Sequence, residues 1–298
     1  MHIGMVGLGR MGGNMRERIA AAGHTVTGYD TNPEISDVAS LAELAEAMPA
    51  GERVVWIMVP AGAPTRAVIE ELSGLLGEGD IVIEGGNSYY RDDQDNAAML
   101  AAHGIGYVDA GISGGVWGRE LGYGTMVGGS REDVERLMPI FDALRPDGPR
   151  EEGFVHAGGV GAGHFSKMVH NGIEYGLMQA YAEGYEIIAS RSDLVPDVTA
   201  VLRAWQRGTV VRSWLLELLV DALEKDPGLA GVDDYAADSG EGRWTLEEAI
   251  DNAVPAHTIA AALFARFASR QDESPALKAI AALRQEFGGH AIRRSDER

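Results

Sequence analysis

The feature that most constrains this chain is its opening. An apolar run at residues 2–7, HIGMVG, passes directly into Gly7-Leu8-Gly9-Arg10-Met11-Gly12 and then into a helical pattern from Met15 to Ala22. A G-x-G-x-x-G turn between strand and helix uses its first glycine for the tight turn. The second lets backbone approach a pyrophosphate, and the third lets helix and strand pack closely. The helix N-terminus then offers unbonded N–H groups and the positive end of its dipole to an anion. Alone, such a sequence is only a turn. Here an acidic residue, Asp30, follows about 20 positions later, where the adenosine ribose hydroxyls would be held. The expected dinucleotide site comprises Gly7, Leu8, Gly9, Arg10, Met11, Gly12 and Asp30.

Asp30 also bears on which nucleotide binds. Its carboxylate would bond a free 2′-hydroxyl and repel a 2′-phosphate, and Thr31-Asn32-Pro33 supplies no arginine to neutralise one. NAD is expected over NADP. The alternative is that Asp30 merely starts a turn before Pro33.

Further strands are expected at HTVTGYD (24–30), RVVWIMVP (53–60), DIVIEGG (80–86) and GIGYVDAG (104–111), with helical patterns between them at 63–76 and 94–104. Strands alternating with helices imply a Rossmann-like, doubly wound parallel sheet. After GGVGAG (158–163) nearly every segment reads as helix. The expected fold is therefore an α/β dinucleotide-binding domain, 1–160, followed by an all-α domain, 161–298.

A chain of 298 residues, 45% hydrophobic and 23% charged, is of ordinary globular composition. It contains no apolar run long enough to span a bilayer, and its start lacks a secretory signal, so a cytoplasmic location is the default expectation. The absence of cysteine removes disulfides and thiolate metal sites. A net charge of −20 argues against a nucleic-acid partner and fits solubility, with adaptation to high salt as an alternative. An anionic ligand would then need a local cluster of Arg, Lys and His.

Within GAGHFSKMVHNGIEYG (161–176), Lys167, His170, Asn171 and Glu174 fall at i, i+3, i+4 and i+7. That is the spacing of one helix face. Phe165, Val169 and Ile173 lie around the other side and are expected to face a core. A lysine beside a cofactor can act as general base when its surroundings lower its pKa. Two loops that follow strands, Glu84–Ser88 and Asp109–Gly115, would lie at the ligand-binding ends of the sheet. Ser113-Gly114-Gly115 there offers a hydroxyl and bare amides.

GLGRMG, GGNSYYRD, DAGISGGVWG and above all HFSKMVHNGIEYG resemble the decarboxylating 6-phosphogluconate dehydrogenases. The resemblance covers essentially the whole chain, in the short form that lacks half of the large helical domain. It implies that Lys167 takes the proton of the substrate 3-hydroxyl and later stabilises the enolate left by loss of CO2, without a metal. Glu174 then protonates C1 of the enediol. It further implies Val59 and Asn87 at the cofactor, and Asn87, Ser113, Gly114, Gly115, His170 and Asn171 at the sugar acid. Tyr175, Arg266, Arg284 and His290 would serve the phosphate end. The helical domain would carry dimerisation in a homodimer or homotetramer, with the Arg284–His290 tail reaching into a partner or folding back on its own chain. Departures are DSGEGRWT (238–245), where Arg243 stands in for a phosphate-binding loop, and Val116-Trp117 after SGG. The alternatives are a dehydrogenase of a small 3-hydroxy acid such as 3-hydroxyisobutyrate, and a nucleotide-sensing binding protein.

Overall fold

The computed structural model describes residues 1–293. In chain order the first elements are β1 (His2–Val6), α1 (Arg10–Ala21), β2 (Thr25–Tyr29), α2 (Leu41–Glu46), β3 (Val54–Ile57), α3 (Ala63–Ser73), β4 (Ile81–Glu84), α4 (Tyr90–Ala101) and β5 (Gly106–Ser113). They are followed by α5 (Gly118–Leu121), β6 (Gly124–Gly129), α6 (Arg131–Leu144), β7 (Phe154–Gly158) and a long α7 (Ala162–Ala189). The strands form one seven-stranded sheet in the order β2-β1-β3-β4-β5-β6-β7.

Alternation along the central strands explains the layering. Val54 and Trp56 of β3 enter the core on one face with Met15, Ile19, Leu137 and Phe141. Val55 and Ile57 enter the other with Leu44, Ile69, Leu72 and Leu100. A strand covered on both faces is apolar throughout, and each such buried side chain contributes about 1.5–3 kcal/mol. Trp56 meets Phe141 edge-on, ring centroids 5.9 Å apart.

The sheet departs from the expected all-parallel pattern at one place: β5 and β6 run antiparallel, Asp109 opposite Gly128. The connection, residues 114–123, holds only a 3-10 turn and the one-turn α5, too short for a crossover, which needs a dozen or more residues. The chain therefore turns back. Because β2 and β3 flank β1, the chain reverses its winding between β1 and β3, where ligands collect in such sheets.

This first compact unit runs from Met1 to Gly172; the second begins at Ile173. The second is helical, as expected, with α8 (Val198–Trp205), α9 (Trp214–Lys225), α10 (Glu241–Asp251), α11 (His257–Ala268) and α12 (Pro275–Gly288). Leu202, Leu216, Val220 and Leu223 form one small core in it; Tyr175, Ala262 and Leu263 form another. No helix of the described residues is long and apolar enough to cross a membrane.

Candidate active site

The glycine turn is shaped as its sequence requires. Gly7 has φ of 90°, and a Cβ there would lie 2.5 Å from the carbonyl oxygen of Met58, just beyond β3. A Cβ on Gly12 would fall on the carbonyl oxygen of Gly7, so α1 can start against the turn only with glycine there. A Cβ on Gly9 would meet nothing within 4 Å. The middle glycine thus leaves open space in front of a helix N-terminus, as a pyrophosphate would need. Asp30 reaches this turn from the end of β2. Its Oδ2 accepts from the Leu8 N–H at 2.7 Å and its Oδ1 from the Asn32 N–H at 2.9 Å. Asp30 therefore ties the end of β2 to the glycine turn. Val59 follows β3, and its carbonyl oxygen would lie 3.0 Å from a Cβ on Gly86, so the Asn87 loop packs against it. Asn87 itself is exposed, whereas Leu8 is buried and Arg10 and Met11 edge the turn.

On α7 the structure corrects one expectation. Lys167 and Asn171 belong to the buried face, at 8% exposure each, together with Met168 and Tyr175. Ile173, expected in a core, is 54% exposed, and Phe165 and Val169 are half-buried. The cause lies in two glycines. A Cβ on Gly111 of β5 would strike the Cβ of Lys167, and one on Gly163 would lie 2.6 Å from the Met126 carbonyl oxygen. With neither present, α7 lies directly on the sheet backbone and the lysine stem is buried against β5. The glycine-rich entry to α7 serves this close approach, as its sequence suggests.

Four of the expected site residues are joined in one series. The Lys167 Nζ donates to Asn171 Oδ1 in a short bond. His170 Nδ1 is 3.1 Å from the same oxygen, and His170 Nε2 is 3.5 Å from Ser113 Oγ at the end of β5. A shared acceptor for both neighbours requires a proton on His170 Nδ1. Gly114 takes φ of 132° and Gly115 of 53°, so SGG turns sharply into the 3-10 turn Gly115–Trp117. Val116 and Trp117 are exposed there, and the Val116 carbonyl accepts from the Asn14 side chain of α1 at 3.3 Å.

Glu174 lies on α7 seven residues beyond Lys167, partly exposed. In the helical unit, the Arg266 guanidinium stacks over the Tyr175 ring, 3.6 Å from its centroid, and donates to the Ala237 carbonyl at 2.9 Å. The Tyr175 hydroxyl accepts from the Ser239 N–H at 3.3 Å. Gly242 permits this packing, since a Cβ there would lie 2.6 Å from the tyrosine ring. Arg243 is committed elsewhere. Its guanidinium pairs with Asp238 at 2.6 Å, as does that of Arg270 at 2.8 Å, and these bonds hold the Asp238 carboxyl below the usual range. Arg284 and His290 stand exposed at the end of α12. His290 meets Phe287 at 6.3 Å between ring centroids. No bond among the described residues joins either side chain to Tyr175 or Arg266.

A buried cluster beneath the site was not singled out by the sequence. His164 Nδ1 lies 2.8 Å from Asp93 Oδ2, and its Nε2 3.3 Å from Glu84 Oε2. The signal was a histidine and an aspartate in segments that otherwise read as core. Burial alone would lower the His164 pKa, but Asp93 and Glu84 outweigh it and raise it to about 10. The imidazole is therefore charged at neutral pH. Burial raises the Glu84 carboxyl in turn, against the pull of His164.

A mostly parallel sheet with a glycine turn, followed by a helical unit, defines a dinucleotide-binding oxidoreductase. A family profile described as the NAD binding domain of 6-phosphogluconate dehydrogenase matches residues 2–146, and one described as its C-terminal domain matches residues 163–286. The chain belongs to the 6-phosphogluconate dehydrogenase family. A Haloferax volcanii protein named NAD(+)-dependent, decarboxylating 6-phosphogluconate dehydrogenase is 40% identical over the full length of both chains. A Bacillus licheniformis relative named decarboxylating 6-phosphogluconate dehydrogenase is 36% identical, but 94% of this chain covers only 64% of it. The chain thus matches the shorter relative from end to end and only part of the longer one. Among solved structures, Plasmodium falciparum 6-phosphogluconate dehydrogenase matches with a TM-score of 0.80 at 26% identity, over all of this chain and 67% of that one. A Mycobacterium tuberculosis 3-hydroxyisobutyrate dehydrogenase shares the fold, TM-score 0.70, at 22% identity over 95% of this chain and 99% of that one.

Proposed function

We propose that this chain oxidises and decarboxylates 6-phospho-D-gluconate to D-ribulose 5-phosphate and CO2, with NAD as the hydride acceptor. The observation that carries this reading is the bonded series Lys167–Asn171–His170–Ser113, which runs from the buried face of α7 to the end of β5. It occurs in a chain 40% identical throughout to a protein bearing that name. The dinucleotide, held by the Gly7–Gly12 turn and Asp30 with Val59 and Asn87, would supply its nicotinamide as the hydride acceptor.

In this reading neutral Lys167 accepts the proton of the 3-hydroxyl as the hydride leaves C3. The resulting β-keto acid loses C1 as CO2, and the electron pair of the broken bond moves into the C2–C3 bond and onto the carbonyl oxygen. Protonated Lys167 stabilises that oxygen. Glu174 then delivers a proton to the carbon that becomes C1 of ribulose 5-phosphate. Asn171 shares its oxygen with Lys167 and so orients the amine, while His170, Ser113, Gly114, Gly115 and Asn87 hold hydroxyls and carboxylate. Tyr175 and Arg266 take the phosphate. Arg243 is bonded to Asp238, so part of its guanidinium is already taken up.

Arg284 and His290 complete the site from a second copy of the chain. Leu277, Ile280, Leu283 and Phe287 stand exposed at helical spacing along α12, between 53% and 79%, as a helix that docks on another protein surface does. We keep residues 1–160 and 161–298 as the cofactor-binding and substrate-binding divisions, and place the enzyme in the cytoplasm.

The test is an assay of NADH and CO2 formation from 6-phosphogluconate and from 3-hydroxyisobutyrate. Equal amounts of NADH and CO2 from the phosphorylated acid are expected. Turnover of 3-hydroxyisobutyrate alone would favour the runner-up, a dehydrogenase of small 3-hydroxy acids with which the fold is shared.

A further inference from the structure

Beneath the bonded series lies a charged cluster with no solvent access. His164 and Glu84 are fully buried, as are Asp93 and Asp109. Each comes from a different element. Glu84 ends β4, Asp93 sits in α4, Asp109 in β5 and His164 in the first turn of α7. The Asp109 carboxylate caps α7, accepting from the Gly161 N–H at 2.7 Å and the His164 N–H at 2.9 Å. Tyr107 donates to Asp93 at 2.7 Å. Glu84 faces two ways: Oε1 accepts from the Gly86 N–H at 2.8 Å, one residue before Asn87, and Oε2 faces His164 Nε2.

Buried ion pairs rarely add stability, because taking the charges out of water offsets their attraction. A cluster of this kind is better explained by what it orients. His164 stands three residues before Lys167, one turn along the same helix. The Glu84 carboxylate links that turn to the backbone of the Asn87 loop. We propose that His164 is a positioning residue: paired at once with Asp93 and Glu84, it locks the loop carrying Asn87 to the helix turn carrying Lys167. The inference rests on the roles given above to Asn87 and Lys167. Neither His164 nor Glu84 needs to touch substrate.

The groups facing the imidazole are Glu84 from β4, Asp93 from α4, and Asp109 and Tyr107 from β5. His164 therefore keeps its proton across the assay range in the wild-type protein, with a folded pKa near 10 against 6.5 unfolded. Its contribution to stability is full below pH 6.5 and is lost as the pH rises through about 10. Replacing Glu84 by Gln removes one of the two pairing charges but leaves an oxygen for Gly86. The imidazole then loses its proton at lower pH, and a displacement of the lysine by about 1 Å costs on the order of 100-fold in turnover.

The experiment compares His164→Gln, Glu84→Gln and their double variant with wild type. It follows kcat, KM for 6-phosphogluconate, NAD affinity and the pH profile of kcat, per active site. His164→Gln should lower kcat by about 30- to 100-fold with NAD affinity within about threefold. Glu84→Gln should add a new ionisation to the kcat profile at a pH below the wild-type His164 value of about 10, with activity falling as pH rises. The double variant should lose little more than His164→Gln, since the two act as one unit. Should His164→Gln fail to fold, the new ionisation in Glu84→Gln still decides. A kcat within threefold of wild type in His164→Gln, or a Glu84→Gln profile identical to wild type, overturns the proposal. So does a stoichiometric divalent metal in the purified protein, which would give the cluster another task. A Lys167→Met control that keeps full activity would instead overturn the role of Lys167.

Discussion

The first turns of α7 and the end of α12 carry site residues in opposite ways. Lys167 is buried, its amine bonded to Asn171, its stem laid on β5 where Gly111 leaves room, and the helix start capped by Asp109. Arg284, on α12, and His290, two residues past its end, are exposed, and the apolar residues of that helix stand in solvent. A group that must hold one geometry through a proton transfer needs anchors from several elements. A group that closes over a bound anion can be supplied from outside. On the proposed reading, the acid–base half of the site is preorganised by the chain itself, whereas the phosphate-closing tail would be completed by association.

The comparison can be broken most severely with hybrid oligomers. Lys167→Ala and His290→Ala chains, each inactive alone, are mixed in equal amounts after reversible dissociation. If the tail serves the partner's site in a dimer, half of the dimers are hybrids with one intact site, and about a quarter of wild-type activity returns. No recovery despite demonstrated exchange would place the tail in its own chain's site.

Next in size is Arg266→Met. Loss of a charge-assisted contact is worth about 1.5–3 kcal/mol, so KM for 6-phosphogluconate should rise about 10- to 100-fold, with NAD affinity unchanged. An unchanged KM would free the Arg266–Tyr175 stack from phosphate binding. The smallest effect is at Asp30. Because its carboxylate also holds Leu8 and Asn32, Asp30→Ala should weaken both nucleotides. It should lower the ratio of kcat/KM for NAD over NADP by about tenfold, as repulsion of the 2′-phosphate disappears. A wild type that already prefers NADP would contradict this reading of Asp30.

Much of this was legible because the residues act locally. The glycine turn, Asp30 and the spacing of Lys167, His170 and Asn171 are short-range patterns whose geometry follows from one strand end or one helix. The antiparallel β6 was not legible, because its direction depends on the length of the connection after β5 rather than on its own residues. Helix α6 was missed despite its cap, in which Ser130 Oγ accepts from the Asp133 N–H at 3.0 Å. Which apolar residues of α7 are buried is not legible either, because helical periodicity ranks Ile173 as core although it is exposed. The ranking reverses only when Gly111 of β5 and Gly163 of α7, far apart in sequence, let strand and helix approach closely. His164, Glu84 and Asp93 join from three separate segments, and no local pattern announces such a cluster.

The central claim is that the buried lysine of α7 performs the proton transfers, and Lys167→Met tests it most directly. The change keeps the stem that packs on β5 and removes only the amine. Measured as kcat on 6-phosphogluconate with NAD affinity followed in parallel, it should cost about 10³-fold or more in turnover while NAD binds as before. Turnover within tenfold of wild type would remove Lys167 from the reaction and leave the bonded series without its catalytic purpose.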